Sequence, residues 1–270
     1  MTGAQASVLD LAGAGVAQGG RTLWFGLDLR VEPGEFLAVL GPNGSGKTTL
    51  LKAILGLVPL IAGRITVAGS PARRGNPDVG YVPQQRGFDA DLAARGRDLV
   101  ALGADGHRYG PRRRRAEIQT RVDAAIAAVG AAAYADEPIG RLSGGEQQRL
   151  RIAQALLSDP GLLLCDEPLL SLDLANQRTI TALIDARRRE SHTAVIFVTH
   201  EINPVLPYVT RVLYLVAGRW VIGTPDEVIT ERTLSDLYGA PIGVFRHGGN
   251  VMITGTGDTR SDYPGEGHLH

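Results

Sequence analysis

The sequence predicts an α/β fold in which a mostly parallel sheet is joined by an antiparallel β subdomain and a helical insertion. Three observations point to it. The runs Phe36-Leu37-Ala38-Val39-Leu40, Leu162-Leu163-Leu164-Cys165 and Ala194-Val195-Ile196-Phe197-Val198 are apolar at every position, as strands buried on both faces of a parallel sheet are. Residues 7–32 instead alternate apolar and polar positions around glycine-rich turns, with Val8, Leu9 and Leu11 and then Leu27, Leu29 and Val31, which is the period of antiparallel strands. From about residue 92 to 157 the composition shifts to Ala, Arg and Leu at helical spacing, including Ile118, Val122, Ile126 and Val129.

The first buried run opens onto Gly41-Pro42-Asn43-Gly44-Ser45-Gly46-Lys47-Thr48-Thr49, and the helical pattern Leu50-Leu51-Lys52-Ala53-Ile54-Leu55 follows. Strand, GxxxxGK[ST], helix is the order of a phosphate-binding loop. Its glycines let successive N–H groups and the positive end of the helix converge on a polyphosphate where a Cβ would intrude. Lys47 then reaches the β- and γ-phosphates, and the Thr48 hydroxyl can ligate Mg²⁺. Among 28 lysines and arginines only Lys47 and Lys52 are lysine, so a chain biased to arginine still places lysine here.

Beyond that helix, Pro59 and Gly63 break the pattern, Ile65-Thr66-Val67 makes a short strand, and residues 71–77 read as a loop. Val79-Gly80-Tyr81-Val82-Pro83-Gln84-Gln85 is a strand that ends in a glutamine pair. Inside the helical region, Leu142-Ser143-Gly144-Gly145-Glu146-Gln147-Gln148-Arg149 precedes an amphipathic helix, and a serine with two glycines at a helix start is a second anion cradle. The strand at 162–165 presents Asp166 and Glu167 at its end, a loop spans 168–173, and the strand at 194–198 ends at Thr199 and His200. Open parallel sheets bind ligands at the carboxyl ends of their strands, so phosphate, metal and proton chemistry would converge there.

Composition narrows the partners. At 270 residues the chain can bury a full core, and its formal net charge of zero lacks the basic footprint of a nucleic-acid binder. The one dense basic run, Arg112 to Arg115 preceded by Arg108, reads as a solvated face. The single cysteine, Cys165, allows no internal disulfide and fits a reducing compartment. No apolar stretch reaches about 18 residues, and the first 20 residues lack a charged start followed by an apolar core. The expectation is a cytoplasmic protein that touches a membrane only through a partner.

The loop at 41–48, Gln84, the LSGGEQQR run at 142–149, the LLLCDEP run at 162–168, Ser171-Leu172-Asp173 and His200 resemble, in order and spacing, the ATP-binding subunits of ABC transporters. The resemblance covers about residues 7 to 240 and implies a P-loop NTPase core, with a helical subdomain over about 90–157 and a short C-terminal extension from 241. It implies an ATPase that uses ATP and Mg²⁺ and works as a head-to-tail dimer of two copies. Each nucleotide is then held between one copy's Gly41 to Thr49 and the other's Ser143, Gly144 and Gly145, with Asp173 contacting across the dimer. Asp166 is expected to hold Mg²⁺ through water, Glu167 to orient or deprotonate the attacking water, and His200 to hydrogen-bond the γ-phosphate and position Glu167. Gln84 is expected to sense Mg²⁺ and the water while linking to the membrane partner.

One departure from the family pattern concerns the base. Members usually carry an aromatic residue about two dozen positions before the phosphate loop that stacks on adenine, and the matching position here is Gln18. Weaker stacking and a relaxed base preference follow; Trp24 and Phe25 nearby read as core or turn. With one nucleotide-binding unit and no membrane span, transport requires a separate permease, paired with two copies of this chain, and a solute-binding protein acting indirectly.

Glu201-Ile202-Asn203-Pro204, residues 211–218, Thr224-Pro225-Asp226-Glu227-Val228 and Leu237-Tyr238-Gly239 resemble the zinc/manganese uptake branch, with siderophore or haem uptake as the alternative. A soluble ABC ATPase of DNA repair or translation is disfavoured by the neutral charge and the single nucleotide unit, and a non-hydrolytic regulator by the presence of Asp166, Glu167 and His200. Residues 244–253 are expected to form a short hairpin. Residues 254–270 are Gly-rich and polar, expected to be disordered, with His268 and His270 as weak metal-ligand candidates.

Overall fold

The computed structural model describes residues 7–84, 87–89, 91–105 and 115–255. Gln85, the basic cluster at 108 and 112–114, and the tail with His268 and His270 lie outside them. β1 (Leu9–Gln18) and β2 (Arg21–Val31) form the antiparallel pair that the alternation predicts, with Leu9 opposite Val31 and Gln18 opposite Arg21. β3 (Phe36–Leu40) is buried throughout and leads through the glycine-rich turn into α1 (Lys47–Ile54). β4 (Ala62–Val67) returns to pair with β1, and β5 (Ser70–Pro71) pairs with β4. The loop expected at 71–77 thus begins one residue later, because Pro71 pairs with Thr66 on the sheet edge, where a residue without an N–H is tolerated.

β6 (Val79–Val82) enters the second sheet and is followed by the helical region: α2 (Gly96–Asp105), α3 (Arg115–Ala128), a 3₁₀ turn at Ile139–Arg141, and α4 (Gly144–Leu156). β7 (Leu162–Asp166), α5 (Leu174–Ser191), β8 (Ala194–Val198), β9 (Arg211–Val216) and β10 (Arg219–Gly223) complete the main sheet. Next come α6 (Pro225–Val228), with Thr224 as N-cap, and α7 (Glu231–Tyr238). The C-terminal hairpin is built from β11 (Ile242–His247) and β12 (Asn250–Gly255), and it extends the span expected for it at both ends.

The main sheet runs β10-β9-β3-β8-β7-β6, parallel except for the antiparallel edge strand β10. The fully apolar strands divide by parity between two cores. Leu37, Val39, Leu162, Leu164, Ile196 and Val198 pack with α1 and the β1-β2-β4 sheet, while Phe36, Ala38, Leu163, Cys165, Val195 and Phe197 face the helical side. Burial on both faces is the reason these strands show no alternation. The carboxyl ends of β3, β6, β7 and β8 consequently lie along one edge, held from both sides.

Trp24 belongs to the first core and is fully buried, with its indole N–H donating to Gly46 O at 3.4 Å. Phe25 departs from the expected core or turn position. It lies within β2 and is 60 % exposed, its ring beside Gly15 on the outer face of the antiparallel sheet.

Candidate nucleotide-binding site

The glycine-rich turn is shaped by what lies beneath it. Gly41 has φ 141°, and a Cβ there would stand 2.0 Å from Leu215 O, so only glycine lets the chain leave β3 this close to β9. Gly46 is the N-cap of α1 in a left-handed conformation and offers no side-chain cap. The first N–H groups of α1 are therefore left for an anion. Lys47 is buried and bends back so that Nζ donates to Gly41 O at 2.7 Å and Pro42 O at 3.1 Å. Burial lowers its pKa, with Glu167 and Asp166 opposing, and its carbonyl partners are ones a phosphate could replace. The Ser45 hydroxyl is buried without a hydrogen-bond partner, which suits a cradle whose acceptor is the ligand.

The strand ends supply the charged groups. Thr48 Oγ1 donates to Asp166 Oδ1 at 2.9 Å, and the Tyr81 hydroxyl donates to Asp166 Oδ2 at 3.3 Å. Burial raises the Asp166 pKa, and the hydrogen bonds from Thr48 and Tyr81 work against it. Tyr81 is pushed up to about 12, first by burial and then by the neighbouring Asp166. Glu167 follows β7 at φ 46°, a strained conformation for a residue with a Cβ, and its N–H is fixed by Val198 O at 3.0 Å. From there its Oε2 stands 3.5 Å from Gln84 Nε2 and 3.6 Å from His200 Nδ1. Lys47, Thr48, Gln84, Glu167 and His200 line one cleft of about 580 Å³, with Gln18 and Leu23 at its border. Gln18 Oε1 lies 3.4 Å from the Thr49 hydroxyl, so the position matched to the adenine-stacking aromatic does sit at the cleft.

A second group of expected residues lies outside this cleft. Ser143 is the N-cap of α4 within a capping box: its Oγ accepts from Glu146 N–H at 3.4 Å while Glu146 Oε2 accepts from Ser143 N–H at 2.8 Å. Gly145 is packed so that a Cβ would meet Asn176 Oδ1 at 2.6 Å. Asp173 caps α5, accepting from Asn176 N–H at 2.8 Å and from its side-chain amide at 2.9 Å, and these bonds hold its carboxyl below the usual range. Neither group borders the cleft of Lys47.

A phosphate cradle, a buried lysine and strand-end carboxylates on one edge of a parallel sheet match a known family. The model of the ABC transporter family matches residues 25–170. The chain belongs to that family. It is 36 % identical over 220 residues to the zinc transport system ATP-binding protein TroB of Treponema pallidum, covering 82 % of each chain. It is 34 % identical over 218 residues to the manganese transport system ATP-binding protein MntB of Bacillus subtilis, covering 79 % of this chain and 85 % of that one. Among solved structures, a chain of an ABC transporter in an inward-facing conformation superposes with a TM-score of 0.77 at 27 % identity, covering 92 % of this chain and 96 % of that one. This family member is thus an ABC ATPase subunit, a nucleotide-binding chain whose ATP hydrolysis is coupled to transport. Among the described residues no helix is long and apolar enough to cross a membrane.

Among the residues at the site that the sequence reading passed over are Tyr81 and Leu23. Tyr81 sits inside a strand pattern where an aromatic reads as packing, and only its hydroxyl's approach to Asp166 gives it a place in the site. Leu23 borders the cleft although alternation assigns it to a sheet face. No spacing signal marks either.

Proposed function

We propose that this chain drives the import of a zinc or manganese ion through a separate permease. The family supplies the ATPase, and the names of the two relatives supply the metal. The observation that carries the catalytic assignment is the convergence of Thr48, Gln84, Glu167 and His200 on the cleft of Lys47, with Asp166 bonded to Thr48 beside it. In this reading the N–H groups of residues 43–49 and the Lys47 ammonium hold the phosphates of ATP. Mg²⁺ fits the donor set: Thr48 and Asp166 offer one hydroxyl and one carboxylate, and a Mg²⁺ site normally completes its shell with water and substrate phosphates. When bound, it would neutralise phosphate charge.

Glu167, held by its strained backbone between Gln84 and His200, accepts a proton from, or orients, the water that attacks the γ-phosphorus. His200 donates to the γ-phosphate; at 3.6 Å from Glu167 a small closing movement brings it to hydrogen-bond distance. Ser143, Gly144, Gly145 and Asp173 do not line that cleft, and in this reading they meet a nucleotide from a second copy in a head-to-tail dimer. Residues 7–240 form the ATPase unit, peripheral on the inner face of the cell membrane against the permease. A solute-binding protein delivers the ion on the far side.

The test is ATP hydrolysis by the wild type against Glu167→Gln, with size-exclusion chromatography in ATP and Mg²⁺. Loss of turnover by about 10²- to 10⁴-fold with a nucleotide-trapped dimer is expected. Unchanged turnover would remove Glu167 from the chemistry, and zinc or manganese uptake unaffected by deleting the chain would remove the metal assignment.

A further inference from the structure

His200 is carried between two anchors. On the β8 side, Thr199 N–H donates to Val39 O at 3.2 Å, and the Thr199 hydroxyl donates to Glu201 O at 2.8 Å and accepts from Glu201 N–H at 3.1 Å. On the other side, Asn203 reaches 48 residues along the chain. Its Nδ2 donates to Val251 O at 3.0 Å, and its Oδ1 accepts from Val251 N–H at 2.8 Å. One side-chain amide thus holds both polar main-chain groups of a single residue in β12.

The hairpin's geometry explains why that residue is Val251. β11 and β12 are joined by Gly248 and Gly249 at φ 56° and 80°, the paired positive φ of a type I′ turn. His247 opposite Asn250 is then the hydrogen-bonded pair that closes the turn, and Arg246 opposite Val251 is a non-hydrogen-bonded pair whose N–H and C=O groups point away from the partner strand. Val251 is only 5 % exposed and packs in the same apolar cluster as Ile202 and Val205. Both its polar groups would be costly to leave unpaired there, and Asn203 satisfies both. The His200 side chain, by contrast, is 54 % exposed, so packing does little to hold it and its placement depends on the backbone anchors. Gly41 and Pro42 of the phosphate loop, His200, Ile202, and Ile242 and Ile253 of the hairpin wall a common cavity of about 450 Å³.

We propose that the β11–β12 hairpin is a strap on the His200 segment, and that Asn203 is the positioning residue through which it sets the stand-off of His200 from Glu167 and from the terminal phosphate. The proposal rests on the reading of His200 as a phosphate contact. It assigns the C-terminal extension a part in ATP turnover, although no atom of the extension need touch nucleotide.

A double-mutant cycle on ATP turnover by the purified full chain tests it. Asn203→Ala is expected to lower kcat about tenfold with KM for ATP little changed, and to lower the thermal midpoint as well, because both main-chain groups of Val251 lose their partner; the cycle, not the midpoint, then separates positioning from stability. In a His200→Ala background the same substitution is expected to cost nothing further, because its effect runs through His200. Asn203→Asp keeps the acceptor for Val251 N–H and loses the donor, and is expected to fall between wild type and Asn203→Ala; run in both backgrounds, it carries the test should Asn203→Ala fail to fold. Full turnover in Asn203→Ala, or an equal loss in both backgrounds, overturns the strap and leaves the role of His200 standing. Full turnover in His200→Ala overturns both.

Discussion

Thr48 Oγ1 and Asp166 Oδ1 lie 2.9 Å apart although 118 residues separate them in the chain. That bond ties the first turn of α1 to the end of β7 and turns one carboxylate oxygen toward the phosphate loop. Tyr81 occupies the other oxygen, so the carboxylate is oriented from both sides while burial works against its charge.

Removing the second support should therefore weaken the charged form of Asp166. Tyr81→Phe keeps the ring and deletes the hydroxyl, at a cost of about 1 kcal/mol for a bond of this kind. We expect the Mg²⁺ concentration for half-maximal ATP turnover to rise about fivefold, with kcat at saturating Mg²⁺ within about twofold of wild type. A titration of turnover with magnesium chloride checks this. An unchanged midpoint would reduce Tyr81 to a packing residue.

Gln18, at the position where the family pattern usually places a stacking ring, borders the cleft, and its amide is turned to the Thr49 hydroxyl. An amide gives little of the face-on contact that distinguishes one purine from another, so wild-type hydrolysis of ATP and GTP should agree within about twofold. Gln18→Tyr is expected to tighten ATP about fivefold, the equivalent of about 1 kcal/mol of aromatic contact. Competition between the two nucleotides measures both, and a strong ATP preference in the wild type would place base recognition elsewhere, with Leu23 the adjacent candidate.

The parts that were legible in the sequence are those where chemistry forces residue type. A strand buried on both faces has to be apolar throughout, and a backbone that passes close to Leu215 O has to be glycine at Gly41, so β3, β7, β8 and the phosphate loop could be read locally. The contacts of Tyr81 with Asp166 and of Asn203 with Val251 could not. Each joins segments whose own patterns are complete without the other, and the distance between them is set by the sheet order β3-β8-β7-β6 or by the packing of the hairpin. Phe25 illustrates the same limit: the sequence reads it as core or turn, whereas it stands within β2 with its ring exposed.

Ser143 combines two roles that substitution can separate. Its Oγ caps α4, so Ser143→Ala should cost about 1 kcal/mol and lower the thermal midpoint by about 2–4 °C. Ser143→Asn retains a good N-cap and should hold the midpoint, while its larger amide crowds the helix end proposed to meet the other copy's nucleotide. Turnover is then expected to fall about tenfold or more with stability unchanged. Turnover that simply follows stability in both variants would confine Ser143 to capping.

Cys165 offers a probe of how the site's central strand opens. It is fully buried in β7, with Val82 of β6 on one side and Phe197 of β8 on the other. Burial pushes its thiol pKa well up, and the neighbouring Asp166 adds to the shift, so the native state holds the thiol proton more tightly than the unfolded chain does. This contribution to stability is complete below the ordinary thiol range and is lost as pH rises from there toward the native value. Alkylation needs both access and the thiolate, and both require β7 to leave its neighbours. Iodoacetamide at about pH 8 should therefore leave the native protein unlabelled over hours and label one thiol per chain in concentrated guanidinium. Slow native labelling should accelerate about tenfold per pH unit up to the ordinary thiol range, because only the opened thiol titrates there. Saturating ATP should slow it, since nucleotide stabilises the closed state through Lys47 and Thr48. Fast native labelling, insensitive to ATP, would mean that β7 opens locally without release of the phosphate loop.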